Sequence, residues 1–74
     1  MASNCEQVEQ GKRSWPELVG KKGEHAEAII EKENPSVNAE IIPEGIVIAQ
    51  IYICNRVVVW VNKKGIVIST PSIG

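Results

Sequence analysis

The spacing of hydrophobic and polar positions changes several times along this chain. From Glu24 to Glu33 the run EHAEAIIEKE is rich in strong helix formers and sets Ala26, Ile29 and Ile30 on one face, which predicts a helix. Asn34-Pro35 ends it, because a residue ahead of proline is pushed out of helical backbone. Val37, Ala39 and Ile41 then alternate with Asn38, Glu40 and Ile42, which predicts a strand broken by Pro43-Glu44-Gly45. Between Ile46 and Cys54 eight of nine residues are apolar and Gln50 is the exception, so the run reads as a buried strand or, if exposed, as an aggregation hazard. VVVWV at 57–61 has no polar alternation and predicts a strand covered on both faces. Asn62-Lys63-Lys64-Gly65 predicts a solvated hairpin turn with Gly65 at positive φ, after which Ile66 to Ser69 returns antiparallel and residues 70–74 close the chain. The strands near 37–42 and 57–61 are joined by a long connection without a helix, expected as a wide loop over one end of the sheet.

Ahead of the helix, residues 1–13 read as a flexible N-terminal arm and residues 14–74 as one domain. Ser14-Trp15-Pro16-Glu17 has the spacing of a capping box with proline in the first turn, and Gly20 and Gly23 argue against a long helix there. Lys22 is a poor neighbour for the positive end of the helix dipole, offset in part by Glu24. Trp15 and Trp60 stand in apolar settings and are expected in the core. His25, on a charged helix face, is expected in solvent.

Length narrows the picture. Seventy-four residues make one small domain, and a chain of this size buries only about 60% of the surface its unfolded form exposes. At 43% apolar and 23% charged it is nonetheless globular in composition. Trp15, Tyr52 and Trp60 are the only aromatic residues, so Ile and Val supply the packing. A net charge of -1 gives no footprint of a nucleic-acid binder. No run approaches the roughly 20 apolar residues that span a bilayer. The polar start MASNCEQVEQGKR has no signal-peptide core, so either a presequence has been removed or the protein is made without one.

Candidate chemistry is sparse. One histidine supports no nucleophile–base–orienter set, so an enzyme is not indicated. Cys5 and Cys54 lack both CxxC spacing and companion histidines, so no metal or other cofactor is expected. The two cysteines enclose 48 residues. A disulfide between them would stabilise the fold by about 4 kcal/mol in the chain-entropy model. An even count in a small chain favours pairing over two unrelated thiols.

SWPELVG at 14–20, Asn34-Pro35 after the helix, and NRVVVWVNKKGIVISTPSIG at 55–74 resemble the potato inhibitor I family of serine protease inhibitors, which includes the eglins. The resemblance runs from Ser14 to Gly74. It implies an α+β fold, with one helix packed on a small mixed β-sheet and a long exposed reactive loop between the central strands. It also implies that the apolar run is a substrate-like peptide rather than core. Counting five residues on from Gly45, or six back from Arg56, reaches residue 50. The reactive bond is therefore expected between Gln50 and Ile51. Val47, Ile48, Ala49, Tyr52 and Ile53 would contact the protease, with Arg56, Gly45 and Gly74 supporting the loop.

The chain departs from the family pattern beside that bond. Ala49 stands where threonine is usual, Ile51 where an acidic residue is usual, and Val58 and Ser72 where further arginines are usual. The acidic residue and arginine that normally pair are both absent, so neither is orphaned. A Cys5–Cys54 bridge would then tie the leaving side to the arm. A neutral Gln50 favours subtilisin-like or chymotrypsin-like partners over trypsin. The alternative is a degenerate loop used for self-association through Ile48, Ile51 and Ile53 or for another protein interaction, against an expectation of a monomer. Family and bridge together point to an extracellular or vacuolar setting and a role in defence or the wounding response.

Overall fold

A computed structural model describes residues 11–48 and 51–74. Its elements are a short 3-10 turn at Pro16–Leu18, helix α1 (Gly23–Glu33), and strands β1 (Asn38–Pro43), β2 (Arg56–Val61) and β3 (Ser72–Ile73). The sheet order is β1-β2-β3. β1 runs parallel to β2, from Asn38 opposite Arg56 to Pro43 opposite Val61, and β3 pairs antiparallel with β2. The fold is thus the α+β arrangement expected, with a mixed sheet.

The parallel register changes the expected course of the connection. Strands of the same direction need a crossover of about a dozen residues. The chain leaving β1 must also travel back along the whole length of the pair, roughly 20 Å for six residues. Residues 44–48 and 51–55 therefore belong to a connection that runs along the sheet rather than over one end of it.

The core is made where α1 lies against β1 and β2. Trp15, Leu18, Ala26, Ile30, Val37, Ala39, Val57, Val59, Val61 and Val67 are buried, with Ile29, Ile41 and Ile73 partly buried against them. Val57, Val59 and Val61 alternate with half-buried Arg56, Val58 and Trp60. β2 is therefore covered on one face only, and Trp60 is on the outer face rather than in the core. The VVVWV run conceals this, because Val58 is apolar on the side away from the helix.

Local chemistry moves several boundaries. α1 begins one residue early, at Gly23, whose N–H donates to Gly65 O at 2.8 Å. That bond satisfies one donor that the Lys22 cap position leaves without a side-chain acceptor. The Ser14–Glu17 capping box does not form: Trp15 occupies the cap of the 3-10 turn, and Ser14 bridges instead to Ser72. Residues 66–69 make bridges from Ile66 to Lys22 and from Val67 to Val61 rather than a full strand. The Asn62–Gly65 turn forms as expected: Asn62 Oδ1 accepts from Lys64 N and Ile66 N, and Gly65 has φ 79°.

Residues 11–14 are fastened to the body. Buried Asn34 donates from Nδ2 to Lys12 O at 3.0 Å, and Ile73 N donates to Arg13 O at 3.1 Å. Lys12 Nζ bonds Glu17 and lies 3.3 Å from Glu33 Oε1, which also accepts from Trp15 Nε1 at 2.9 Å. The Lys12 bond holds the Glu17 carboxyl below its ordinary 4.5 and raises Lys12 above 10.5. Glu17's contribution is therefore fully present above pH 4.5 and lost as pH falls through the lowered folded value. Lys12 contributes below 10.5 and loses that contribution as pH rises through its raised value. Both groups are solvent-exposed, so the effect is small. The Glu17→Gln variant is expected to unfold at a slightly lower urea midpoint than the parent at neutral pH and to be less sensitive to acid below pH 4.5, so that the two curves converge as pH falls. Equal acid sensitivity in both would show that the pair does not contribute.

Candidate functional site

The loop leaves β1 through a turn closed at both ends by backbone bonds. Glu44 N donates to Val61 O at 2.8 Å and Ile46 N to Pro43 O at 3.4 Å. Gly45 has φ 89°, a left-handed conformation that L side chains rarely adopt, so glycine at this corner is a backbone requirement. Beyond the corner the chain emerges. Val47 is 90% exposed, Ile51 61% and Tyr52 62%, whereas Ile48, Ile53 and Cys54 are half-buried. Ala49 and Gln50 lie outside the described residues, so the expected reactive bond joins one such residue to Ile51. Cys5 lies outside them too. Cys54 is not a free thiol.

The part of the loop that precedes β2 is fastened at three carbonyls. Arg56 Nη2 donates to Ile51 O at 3.0 Å, Arg56 N to Ile53 O at 3.1 Å, and Asn38 N to Asn55 O at 2.8 Å. Arg56 Nε donates to Gly74 O at 2.9 Å while Gly74 N returns a bond to Arg56 O at 2.9 Å. One guanidinium thus spans the final residue and the loop. Bonds from a charged donor each stabilise by about 1.5–3 kcal/mol, and these need no acidic side chain in the loop. Residues 46–55 contain none.

Beneath the loop is a groove of about 500 Å³, walled by Ile48 and Ile51 from the loop and by Val58, Trp60 and Ile73 from the sheet. Val58 and Ser72, where the resemblance would place further arginines, are register partners across β2 and β3 and both line it. The floor is therefore mixed: Val58, Trp60 and Ile73 stand beside the hydroxyls of Ser69, Thr70 and Ser72, and Arg56 is the one charged side chain among the described residues that line it. Ile48 turns partly towards this floor, whereas Val47, Ile51 and Tyr52 present most of their surface to solvent. The continuous apolar run hides that division, because buried and exposed loop residues are chemically alike. Sequence reasoning also missed the approach of the Tyr52 ring to Gly74, where an added Cβ would stand 3.3 Å from Cδ1 across 22 positions of sequence. No local spacing signals it.

Among the described residues, no cluster of three or more His, Cys, Asp or Glu could hold a metal ion, and no helix is long and apolar enough to cross a membrane. The site offers exposed peptide rather than a reactive centre.

Comparisons with known proteins agree with this geometry. The chain is 55% identical over 64 residues to an inhibitor of trypsin and Hageman factor from Cucurbita maxima, covering 86% of this chain and 94% of that one. It is 52% identical over 65 residues to a Glu S. griseus protease inhibitor from Momordica charantia, covering 88% and 96% respectively. Among solved structures, bitter gourd trypsin inhibitor superposes with a TM-score of 0.86 at 52% identity, covering 88% of this chain and 96% of that one. The model of the potato inhibitor I family matches residues 6–74, and with that match, the loop and the sheet in agreement, the chain belongs to the potato inhibitor I family.

Proposed function

We propose that this chain inhibits serine endopeptidases by presenting residues 47–53 as a substrate-like strap whose reactive bond joins Gln50 to Ile51. The observation that carries this is the pairing of outward apolar side chains with a fastened backbone. Val47, Ile51 and Tyr52 are exposed while the carbonyls of Ile51, Ile53 and Asn55 are each held by the body. A backbone already held by the body on one side loses less entropy on binding than a free peptide, and an exposed stretch of chain can pair with an enzyme cleft as an added strand.

Holding also governs the chemistry. The enzyme's serine oxygen attacks the Gln50 carbonyl carbon, the Gln50–Ile51 C–N bond breaks, and the serine proton passes to the Ile51 nitrogen. Water would then release the acyl group. An Ile51 amine kept in place by Arg56 instead attacks the ester carbonyl, re-forms the peptide bond and returns the proton to serine. Religation thus competes with hydrolysis in proportion to how long the new amine stays within reach. A Cys5–Cys54 bridge would add a second tether on the same side, and the absence of a free thiol at Cys54 supports it.

The enzymes best suited have long apolar clefts, subtilisin-like or chymotrypsin-like. Residues 46–49 and 51–53 offer apolar side chains to such a cleft, and Gln50 offers a neutral amide that gains no ion pair in a trypsin-like pocket. The relatives named as trypsin inhibitors support a serine protease partner without fixing this preference. An inhibition panel of subtilisin, chymotrypsin, elastase and trypsin, with mass spectrometry of the products, tests the reading. Expected are tight inhibition of subtilisin, weak inhibition of trypsin, and one slow clip at 50–51. Prompt digestion at several loop bonds without inhibition would end it.

A further inference from the structure

The contact between Tyr52 and Gly74 assigns a second task to a residue that inhibition requires only as an outward side chain. We propose that Tyr52 is a positioning residue for religation, bracing the leaving side of the loop against Gly74, the residue that follows β3; the idea rests on the inhibitory reading above.

The geometry is local and closed. A Cβ built on Gly74 would stand 3.3 Å from Cδ1 and 3.5 Å from Cε1 of Tyr52, so the edge of the ring lies against this residue. Gly74 has φ 136°, outside the range that L side chains readily adopt. Glycine therefore serves the backbone and leaves room for the ring. Gly74 also holds Arg56 by two bonds, and Arg56 holds Ile51 O. Tyr52 follows Ile51 directly, so Ile51, Tyr52, Gly74 and Arg56 form a closed circuit of contacts. Releasing the new amine end from the body requires lifting the ring from Gly74 as well as breaking the guanidinium bond. With 62% of Tyr52 exposed, its other surface stays available to an enzyme.

The brace matters here because Val58 and Ser72 offer the loop no charge and Arg56 is the charged side chain lining the groove. A ring against a glycine supplies dispersion contact without a charge partner in the loop.

The test compares the parent with Tyr52→Ala, Tyr52→Phe and Gly74→Ala on subtilisin, reading the equilibrium ratio of clipped to intact inhibitor. That ratio is a property of the inhibitor alone and is indifferent to contacts with the enzyme. Tyr52→Ala is expected to raise it about tenfold, Tyr52→Phe to restore it, and Gly74→Ala to raise it by displacing the ring. A Tyr52→Ala variant that binds more weakly with an unchanged ratio would make Tyr52 a protease contact only and overturn the brace. Hydrogen exchange of the Gly74 amide, bonded to Arg56 O, reads the same brace without enzyme. It is expected to quicken in Tyr52→Ala, and unchanged exchange would also overturn the proposal. A parent that inhibits no protease, with Gly74 exchange quickened in Tyr52→Ala, would remove the inhibitory reading and the religation role while leaving the contact established.

Discussion

Replacing Gln50 by arginine is expected to strengthen inhibition of trypsin by about a hundredfold or more, with little change in fold stability. Gln50 would fill the pocket that selects the residue before the cleaved bond. In a trypsin-like enzyme that pocket ends in a buried carboxylate, and a neutral amide leaves the charge without a counter-ion. An arginine supplies a planar fork matched to the carboxylate, a bidentate pair among the stronger hydrogen-bonded contacts available. None of the core contacts and hydrogen bonds described above uses the side chain at position 50, so the urea midpoint should stay within measurement error. Trypsin inhibition constants for the parent and Gln50→Arg decide the matter. An unchanged trypsin constant, with subtilisin still inhibited, would move the reactive bond away from 50–51.

Some of this architecture could be read from the chain because local and global signals agree. The helix at Gly23–Glu33 has both the right residues and a stop at Asn34-Pro35, and the Asn62–Gly65 turn has an asparagine acceptor and a glycine where each is needed. Other features were concealed by chemistry that repeats. VVVWV looks the same whether one face or two is covered, so the outer placement of Val58 and Trp60 emerges only with the sheet. The capping-box spacing of Ser14 and Glu17 was overridden because Ser14 pairs with Ser72 and Glu17 takes Lys12. Both partners are invisible to a local window. The loop is the extreme case: eight apolar residues of nine carry no period, and their division into outward and inward residues is set by the parallel crossover.

The loop's fastening follows from the same topology. A parallel crossover brings residues 51–55 back beside the start of β2, where Arg56 can reach both Ile51 O and Gly74 O. Backbone carbonyls accept from a guanidinium whatever side chains the loop carries. An Ala49 and an Ile51 in place of hydrogen-bonding residues therefore leave this part of the support untouched. The remaining space under the loop is lined by Val58, Trp60 and Ile73 together with Ser69, Thr70 and Ser72, so Arg56 supplies the charged support there without a second arginine from position 58 or 72.

The two tryptophans should respond very differently to truncation. Trp15→Ala is expected to lose about 3–5 kcal/mol, since a large buried side chain is removed and the cavity closes only in part. Trp15 is fully buried, its Nε1 donates to Glu33, its backbone N donates to Pro71 O and its O accepts from Leu18 N. It is where the arm, the helix and the C-terminal segment meet. A chain of this length has a total stability of roughly 4–11 kcal/mol, so the variant should be close to unfolding. Trp15→Phe keeps most of the packing and gives up the Glu33 bond, with an expected loss of about 1–2 kcal/mol. Trp60→Ala removes a half-exposed ring from the outer face of β2 and should cost well under the Trp15→Ala loss, while enlarging the groove below Ile48 and Ile51. Urea midpoints for the three variants rank these effects, and cleavage rates at 50–51 separate scaffold from groove. Trp15→Ala should be cut quickly because its scaffold opens, whereas Trp60→Ala should be cut faster than the parent at nearly full stability. Equal losses from the two alanine variants would place Trp60 in the core after all and remove it from the groove beneath the loop.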